Sequence, residues 1–199
     1  MTLGLYVHIP FCRHKCLYCD FPSYAGLERY CQGYVEALCR DIAASPYAGE
    51  GADTVYVGGG TPSMLEAGDV SRILKTLRLT FCIASDAEIT IEANPDSLDY
   101  DKAAALADCG VNRLSLGVQS FSDAMLAFLG RVHTAAQGEA AIQAAYAAGI
   151  HNLSLDLMYG LPGQRLAYVR RDVERLSQLP VVHASIYSLI VEDGTQLKA

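Results

Sequence analysis

Leu5-Tyr6-Val7-His8-Ile9-Pro10-Phe11-Cys12-Arg13-His14-Lys15-Cys16-Leu17-Tyr18-Cys19 joins a β-rich run to a cysteine-bearing loop near the start of the chain. The run at 5–9 stops at Pro10, which cannot donate to a sheet ladder. Further β-rich runs follow at 54–57, 88–92, 113–118, 152–158 and 184–191. Those at 153–158 and 186–191 are apolar on nearly both faces, as parallel strands covered by crossover helices are. Between the runs the period changes to that of a helix. Over 27–45, Leu27, Cys31, Tyr34, Leu38 and Ile42 recur every three or four residues and predict one buried stripe. Ser63 with Glu66, and Thr134 with Gln137, have capping-box spacing, and Gly149 stands where a long Ala-rich helix needs a left-handed end.

Six strand signals alternating with helices predict an α/β fold, a partial (β/α)6 TIM-like barrel wound in one direction. The unusual residues fall after the strands. Cys12, Cys16 and Cys19 follow the first, and Gly58-Gly59-Gly60-Thr61-Pro62 the second. Glu92 and Asn94 end the third, Gln119 and Ser120 end the fourth, and Asp156 lies late in the fifth. In a parallel barrel those ends open on one face, where sites are built.

Composition narrows the function classes. Of 199 residues, 51% are apolar, which is enough for a core and excludes disorder. Lys plus Arg number 15 against 22 Asp plus Glu, a net charge of −7, so neither nucleic acid nor an anionic membrane surface is an expected partner. The longest uncharged stretches are broken by Gly149 or Pro180, so no membrane insertion is expected. Without a basic leader segment at Met1-Thr2-Leu3-Gly4, a cytoplasmic location is expected, with the seven cysteines as thiols or metal ligands.

The triplet Cys12-x3-Cys16-x2-Cys19 admits three readings. A structural zinc site wants a fourth protein ligand, and His14 is awkwardly wedged between two cysteines. A [4Fe–4S] cluster can be held by three thiolates with one iron left open. Three buried thiols would have no reason to cluster at this spacing, whereas Cys31, Cys39, Cys82 and Cys109 show no metal spacing and read as ordinary thiols.

The cysteine triplet after a first strand, followed by Gly58-Gly59-Gly60-Thr61-Pro62 after a second, resembles the radical S-adenosylmethionine (radical SAM) superfamily. Tyr6-Val7-His8-Ile9-Pro10-Phe11-Cys12, Gly117-Val118-Gln119-Ser120-Phe121 and Asp156-Leu157-Met158-Tyr159-Gly160-Leu161-Pro162-Gly163 narrow the resemblance. They resemble the family of oxygen-independent coproporphyrinogen III oxidases and heme chaperones of the HemW type. The resemblance implies a [4Fe–4S] cluster on Cys12, Cys16 and Cys19, with S-adenosylmethionine on the open iron. Cleavage of the sulfonium by one electron would give a 5′-deoxyadenosyl radical. It also implies cofactor binding by Gly58, Gly59, Gly60 and Thr61, and by Glu92, Gln119, Arg131 and Asp156. Tyr6 would lie by the cluster or the methionyl group. Arg131 and Asp156 have an alternative as a structural ion pair, and Tyr6 as a core residue. His133 has an imidazole suited to heme iron, but reads first as a polar residue before a helix N-cap.

Within the family, the oxidases carry a further cysteine two positions past the triplet and extra chain before the first strand. Here Cys19 is followed by Asp20-Phe21, as in the heme-chaperone branch. The expectation is a heme-trafficking protein represented by its radical SAM core over 1–199, with heme or a porphyrinogen and a heme-accepting client as partners. The alternative is the oxidase, acting on coproporphyrinogen III. The chain stops soon after the sixth strand signal, so a C-terminal domain of the family is expected to be absent.

Overall fold

A computed structural model describes residues 2–198. Its frame is a six-stranded parallel sheet formed by β1 (Leu3–Ile9), β4 (Gly51–Gly59), β5 (Cys82–Ala93), β6 (Arg113–Gln119), β7 (Asn152–Tyr159) and β8 (His183–Ser188), hydrogen-bonded in that order. Helices α1 (Cys31–Ala43), α2 (Ala67–Thr80), α3 (Tyr100–Asp108), α5 (Ala135–Ala147) and α6 (Leu166–Leu176) return the chain between successive strands, with a short α4 (Asp123–Phe128) before α5. The predicted partial (β/α)6 barrel is the observed architecture. Two miniature strands, β2 (Phe11–Cys12) and β3 (Tyr24–Ala25), pair parallel and close the cysteine loop at its base.

Alternation along the strands divides the molecule. Val7, Ile9, Val55, Val57, Ile89, Ile91, Leu114 and Leu116 are buried beneath the helices. The residues between them, including Tyr6, His8, Tyr56, Glu92 and Ser115, take the opposite, inner face because side chains alternate along a strand. The register Val7↔Val57, Tyr56↔Thr90 and Leu116↔Leu155 keeps the two sets apart. The inner face is therefore polar. Among the described residues β1 and β8 do not pair, so the barrel is open between them.

Several local details depart from expectation. The helical segment at 27–45 begins as a tight turn at Glu28–Tyr30 before α1. Its deepest residues are Val35 and Cys39, while Cys31, Tyr34, Leu38 and Ile42 pack half-buried beside them. The helix is rolled so that the Tyr34 hydroxyl donates to the His8 carbonyl at 2.6 Å. Ser63 is not a helix cap. The turn Pro62–Met64 precedes α2, whose N-cap is Glu66, and Ser63 Oγ instead accepts from Asn94 N at 3.2 Å. Thr134 and Gln137 do form a capping box, and Gly149 ends α5 at φ 93°. The last strand ends at Ser188, three residues before the expected 191. The chain then crosses back to the cysteine loop, where Leu197 N donates to the Leu17 carbonyl at 2.8 Å. No helix among the described residues is long and apolar enough to cross a membrane.

Leu114 is fully buried in the sheet core. Leu114→Ala should lower unfolding free energy by about 2–5 kcal/mol through lost contacts and a residual cavity. Thr134→Ala, which removes only the cap bond, should cost about 1 kcal/mol. Urea unfolding checks both, as a lower midpoint at unchanged slope.

Candidate functional site

The strand ends, the cysteine loop and the segment after β8 enclose a cavity of about 380 Å³. Cys12, Cys16 and Cys19 all line it. Backbone contacts hold their loop over the sheet. Cys12 lies in β2, Leu17 N donates to the Leu129 carbonyl at 3.1 Å, and Lys15 Nζ donates to the carbonyls of Phe21 and Ser23, each at 3.0 Å. Each sulfur has a polar neighbour. Thr61 Oγ1 donates to Cys12 Sγ at 3.5 Å, Arg131 Nη1 donates to Cys16 Sγ at 3.3 Å, and Ser23 Oγ stands 3.8 Å from Cys19 Sγ. Burial pushes the Cys19 thiol up.

Arg131 joins the loop to the sheet. Besides Cys16, its guanidinium donates to Asn94 Oδ1 at 2.7 Å and to the Gly117 carbonyl. Its Nε is buried without a hydrogen-bond partner. It forms no salt bridge with Asp156 among the described residues, so the structural ion pair is not the observed arrangement. Asn94, noted from sequence as a polar residue ending the third strand and given no role, joins this cluster, since its Nδ2 also donates to Thr61 Oγ1 at 3.0 Å. Its position at the end of a strand was the available signal.

Across the cavity stand two carboxylates. Glu92 accepts from Tyr56 Oη at 2.7 Å and from Gly59 N at 2.9 Å, which fixes its orientation. Burial, with Glu92 as a second cause, raises the Asp156 carboxyl to about 6. Gln119 accepts from the Tyr187 hydroxyl at 2.8 Å. It is the one non-glycine residue with positive φ among those described, at 70°, a conformation that costs roughly 1–3 kcal/mol. Burial pushes the Tyr187 phenol up to about 12, so it remains a donor at neutral pH. Tyr187 was missed because nothing in its own run distinguishes it; pairing of β8 with β7 brings it to the cavity.

The glycine run is also required by the chain's own packing. Gly59 and Gly60 line the cavity, but Gly58 does not. A Cβ on Gly58 would stand 2.8 Å from the Tyr56 ring, and one on Gly60 would stand 2.5 Å from the Phe11 carbonyl oxygen. Gly59, at φ 117°, lies against the His8 ring. These glycines are demanded by the protein's own close approaches, whatever ligand lies above them. Tyr6 also lies outside the cavity lining. It is 61% exposed on the inner face, with its hydroxyl 3.0 Å from His8 Nδ1, and His8 Nε2 is 3.0 Å from the Pro22 carbonyl oxygen. It braces the exit of the cysteine loop. His133 is buried under β6 with Nε2 at 3.2 Å from the Val118 carbonyl, and desolvation lowers it to about 4. A ring so enclosed cannot reach a heme iron.

Three cysteine sulfurs lining one cavity are the donor set that a [4Fe–4S] cluster takes. A cubane cluster bound by three thiolates needs each on a different iron, with the sulfurs apart around one cavity.

The sequence pattern of the radical SAM superfamily matches residues 6–176, and the chain belongs to that superfamily. The [4Fe–4S] cluster and S-adenosylmethionine are the cofactors of its members. The chain is 40% identical over 190 residues to the heme chaperone HemW of Lactococcus lactis, covering 96% of this chain and 50% of that protein. It is 39% identical to HemW of Escherichia coli over 198 residues, covering 97% and 52%. Among solved structures it resembles coproporphyrinogen III oxidase (HemN) of Escherichia coli, with a TM-score of 0.88 and 32% identity over 95% of this chain and 44% of that one. Methylornithine synthase shares the fold, at a TM-score of 0.66 and 12% identity, over 100% of this chain and 57% of that one. The chain spans about half the length of the curated relatives it matches.

Asp156 supplies a pH test. Its folded value, about 6, lies above the ordinary 3.8, so the folded state binds the proton more tightly. The associated stability is full below about pH 4 and lost as pH rises through about 6. Asp156→Asn should flatten this profile and exceed the parent at neutral pH by on the order of 2 kcal/mol, converging with it in acid. Urea unfolding of the cluster-free chain across that range reads the difference.

Proposed function

We propose that this chain is the radical SAM core of a heme-trafficking protein of the HemW type, working in the cytoplasm and passing heme to a client protein. The observation that carries the reading is the convergence of three cysteines, Arg131 and two carboxylates on one cavity at the strand ends. Cys12, Cys16 and Cys19 would hold the cluster, and the neighbouring cavity would hold S-adenosylmethionine. Bound together, they would supply one-electron radical chemistry, while the protein positions and shields them.

Each residue has a task in that arrangement. Arg131 holds the loop at Cys16 and keeps an unpaired Nε for the cofactor site. Glu92, anchored by Tyr56 and Gly59, offers a carboxylate to ammonium or ribose groups. Asp156 is positioned for the same kind of contact, and Gln119 offers an amide aligned by Tyr187. Gly59, Gly60 and Thr61 form the floor beside the cluster ligands. Tyr6 and Gly58 act from behind, by bracing the loop and by making room for Glu92.

The heme-chaperone branch is favoured by Asp20-Phe21 after the triplet. Both line the cavity where the oxidases carry a further cysteine. The oxidase reading is supported by the similarity to HemN.

Anaerobic reconstitution with iron and sulfide should give a brown protein whose EPR signal, after reduction, changes on adding S-adenosylmethionine. Cys12→Ala, Cys16→Ala or Cys19→Ala should each abolish cluster retention, read as iron and sulfide per chain. Zinc alone, or no metal, would sink the cofactor reading. Tight heme binding without turnover of coproporphyrinogen III fits the chaperone. Propionate-to-vinyl conversion establishes the oxidase instead.

A further inference from the structure

Helix α6 is attached to the barrel in an unusual way. Its Leu166 and Val173 are 65% and 46% exposed, whereas its one buried residue is Asp172, at 3% exposure. A buried carboxylate is costly unless its oxygens accept strong hydrogen bonds. Asp172 Oδ2 accepts from Ser120 Oγ at 2.7 Å and Oδ1 from Phe121 N at 3.0 Å. Ser120 Oγ in turn accepts from Ser122 N at 3.1 Å. All three contacts fall on the turn immediately after Gln119.

That turn is under strain. Ser120 N donates to the Val118 carbonyl at 2.9 Å across Gln119, whose φ is 70°. A hydrogen bond between residues two apart around a positive φ defines the uncommon, strained form of γ-turn. The β6–β7 register also shifts between Leu116 and Gln119. Such a conformation persists only where its surroundings over-determine it. Here Asp172 grips the residues that follow, and the His133 imidazole lies 3.2 Å from the Val118 carbonyl that precedes.

We propose that Asp172 is a positioning residue for Gln119. By anchoring Ser120 and Phe121, it keeps Gln119 in its left-handed turn and so directs the amide into the cavity beside Tyr187. An ordinary polar residue on α6 would face solvent. This one faces inward and reaches the site through a neighbour. The ligand side of the inference rests on the cavity being the S-adenosylmethionine site; the positioning of Gln119 stands without it.

Two measurements on the chain test it. First, 3-fluorotyrosine in place of Tyr187 reports the Gln119 contact by fluorine NMR in the folded, cluster-free protein. Asp172→Ala should move that resonance to where Gln119→Ala places it, with Asp172→Asn in the same direction. An unmoved resonance in a folded Asp172 variant overturns the proposal. If Asp172→Ala fails to fold, Asp172→Asn carries the comparison. Second, in the cluster-loaded chain, S-adenosylmethionine affinity is read from the EPR change. Asp172→Ala should weaken it about tenfold, the size typical of losing an outer hydrogen-bond partner, and should change nothing in a Gln119→Gly background. Equal weakening in both backgrounds overturns the proposal, since Asp172 would then not act through Gln119. If the parent itself does not respond to S-adenosylmethionine, the cofactor reading fails, and the fluorine resonance still decides whether Asp172 positions Gln119.

Discussion

One guanidinium holds the site together. Arg131 donates to Cys16 Sγ, to Asn94 Oδ1 and to the Gly117 carbonyl, and so ties the cysteine loop to the ends of β5 and β6. A planar fork of fixed donors suits this task, because each bond constrains the others; an ammonium on a flexible stem would not. Gly130, just before it, lies at φ 71°, and a Cβ there would stand 2.8 Å from Leu17. The loop therefore rests directly on the backbone that presents the arginine.

The rest of the cavity follows from parallel strands ending at one level. Each strand delivers an inner-face residue near its end, and hydrogen bonds between neighbouring strands set their spacing. Tyr56 on β4 orients Glu92 on β5, and Tyr187 on β8 orients Gln119 on β6. Two tyrosines with raised pKa serve as dependable donors to two acceptors. The packed face on the far side of each strand, where Ile91, Leu114 and Leu116 are fully buried, keeps these ends from shifting.

Much of this was legible from the chain alone because its signals are local. Alternation of periods marks strands and helices, and a triplet such as Cys12, Cys16 and Cys19 needs no tertiary information to be noticed. The Thr134–Gln137 capping box lies within one turn and formed as read. Ser63–Glu66 has the same spacing and did not, since Pro62 begins a tight turn and Ser63 is claimed by Asn94, over thirty residues away in sequence. Tyr6 carries a motif signal as well, and the tertiary structure adds a partner that the motif does not name, its hydroxyl lying 3.0 Å from His8 Nδ1.

The sequence by itself determined the alternating β/α order, the face on which polar residues gather and the sulfur ligands available to a metal centre. Those features depend on residue type and short-range spacing. Tertiary structure decided which groups meet. It joined Arg131 to Cys16 across 115 positions, placed Tyr187 against Gln119 across 68, and buried Asp172 against Ser120 across 52. It also made the glycine run a matter of packing against Tyr56, His8 and Phe11. Partners so distant along the chain are chosen by strand register and helix docking, and no local pattern records them.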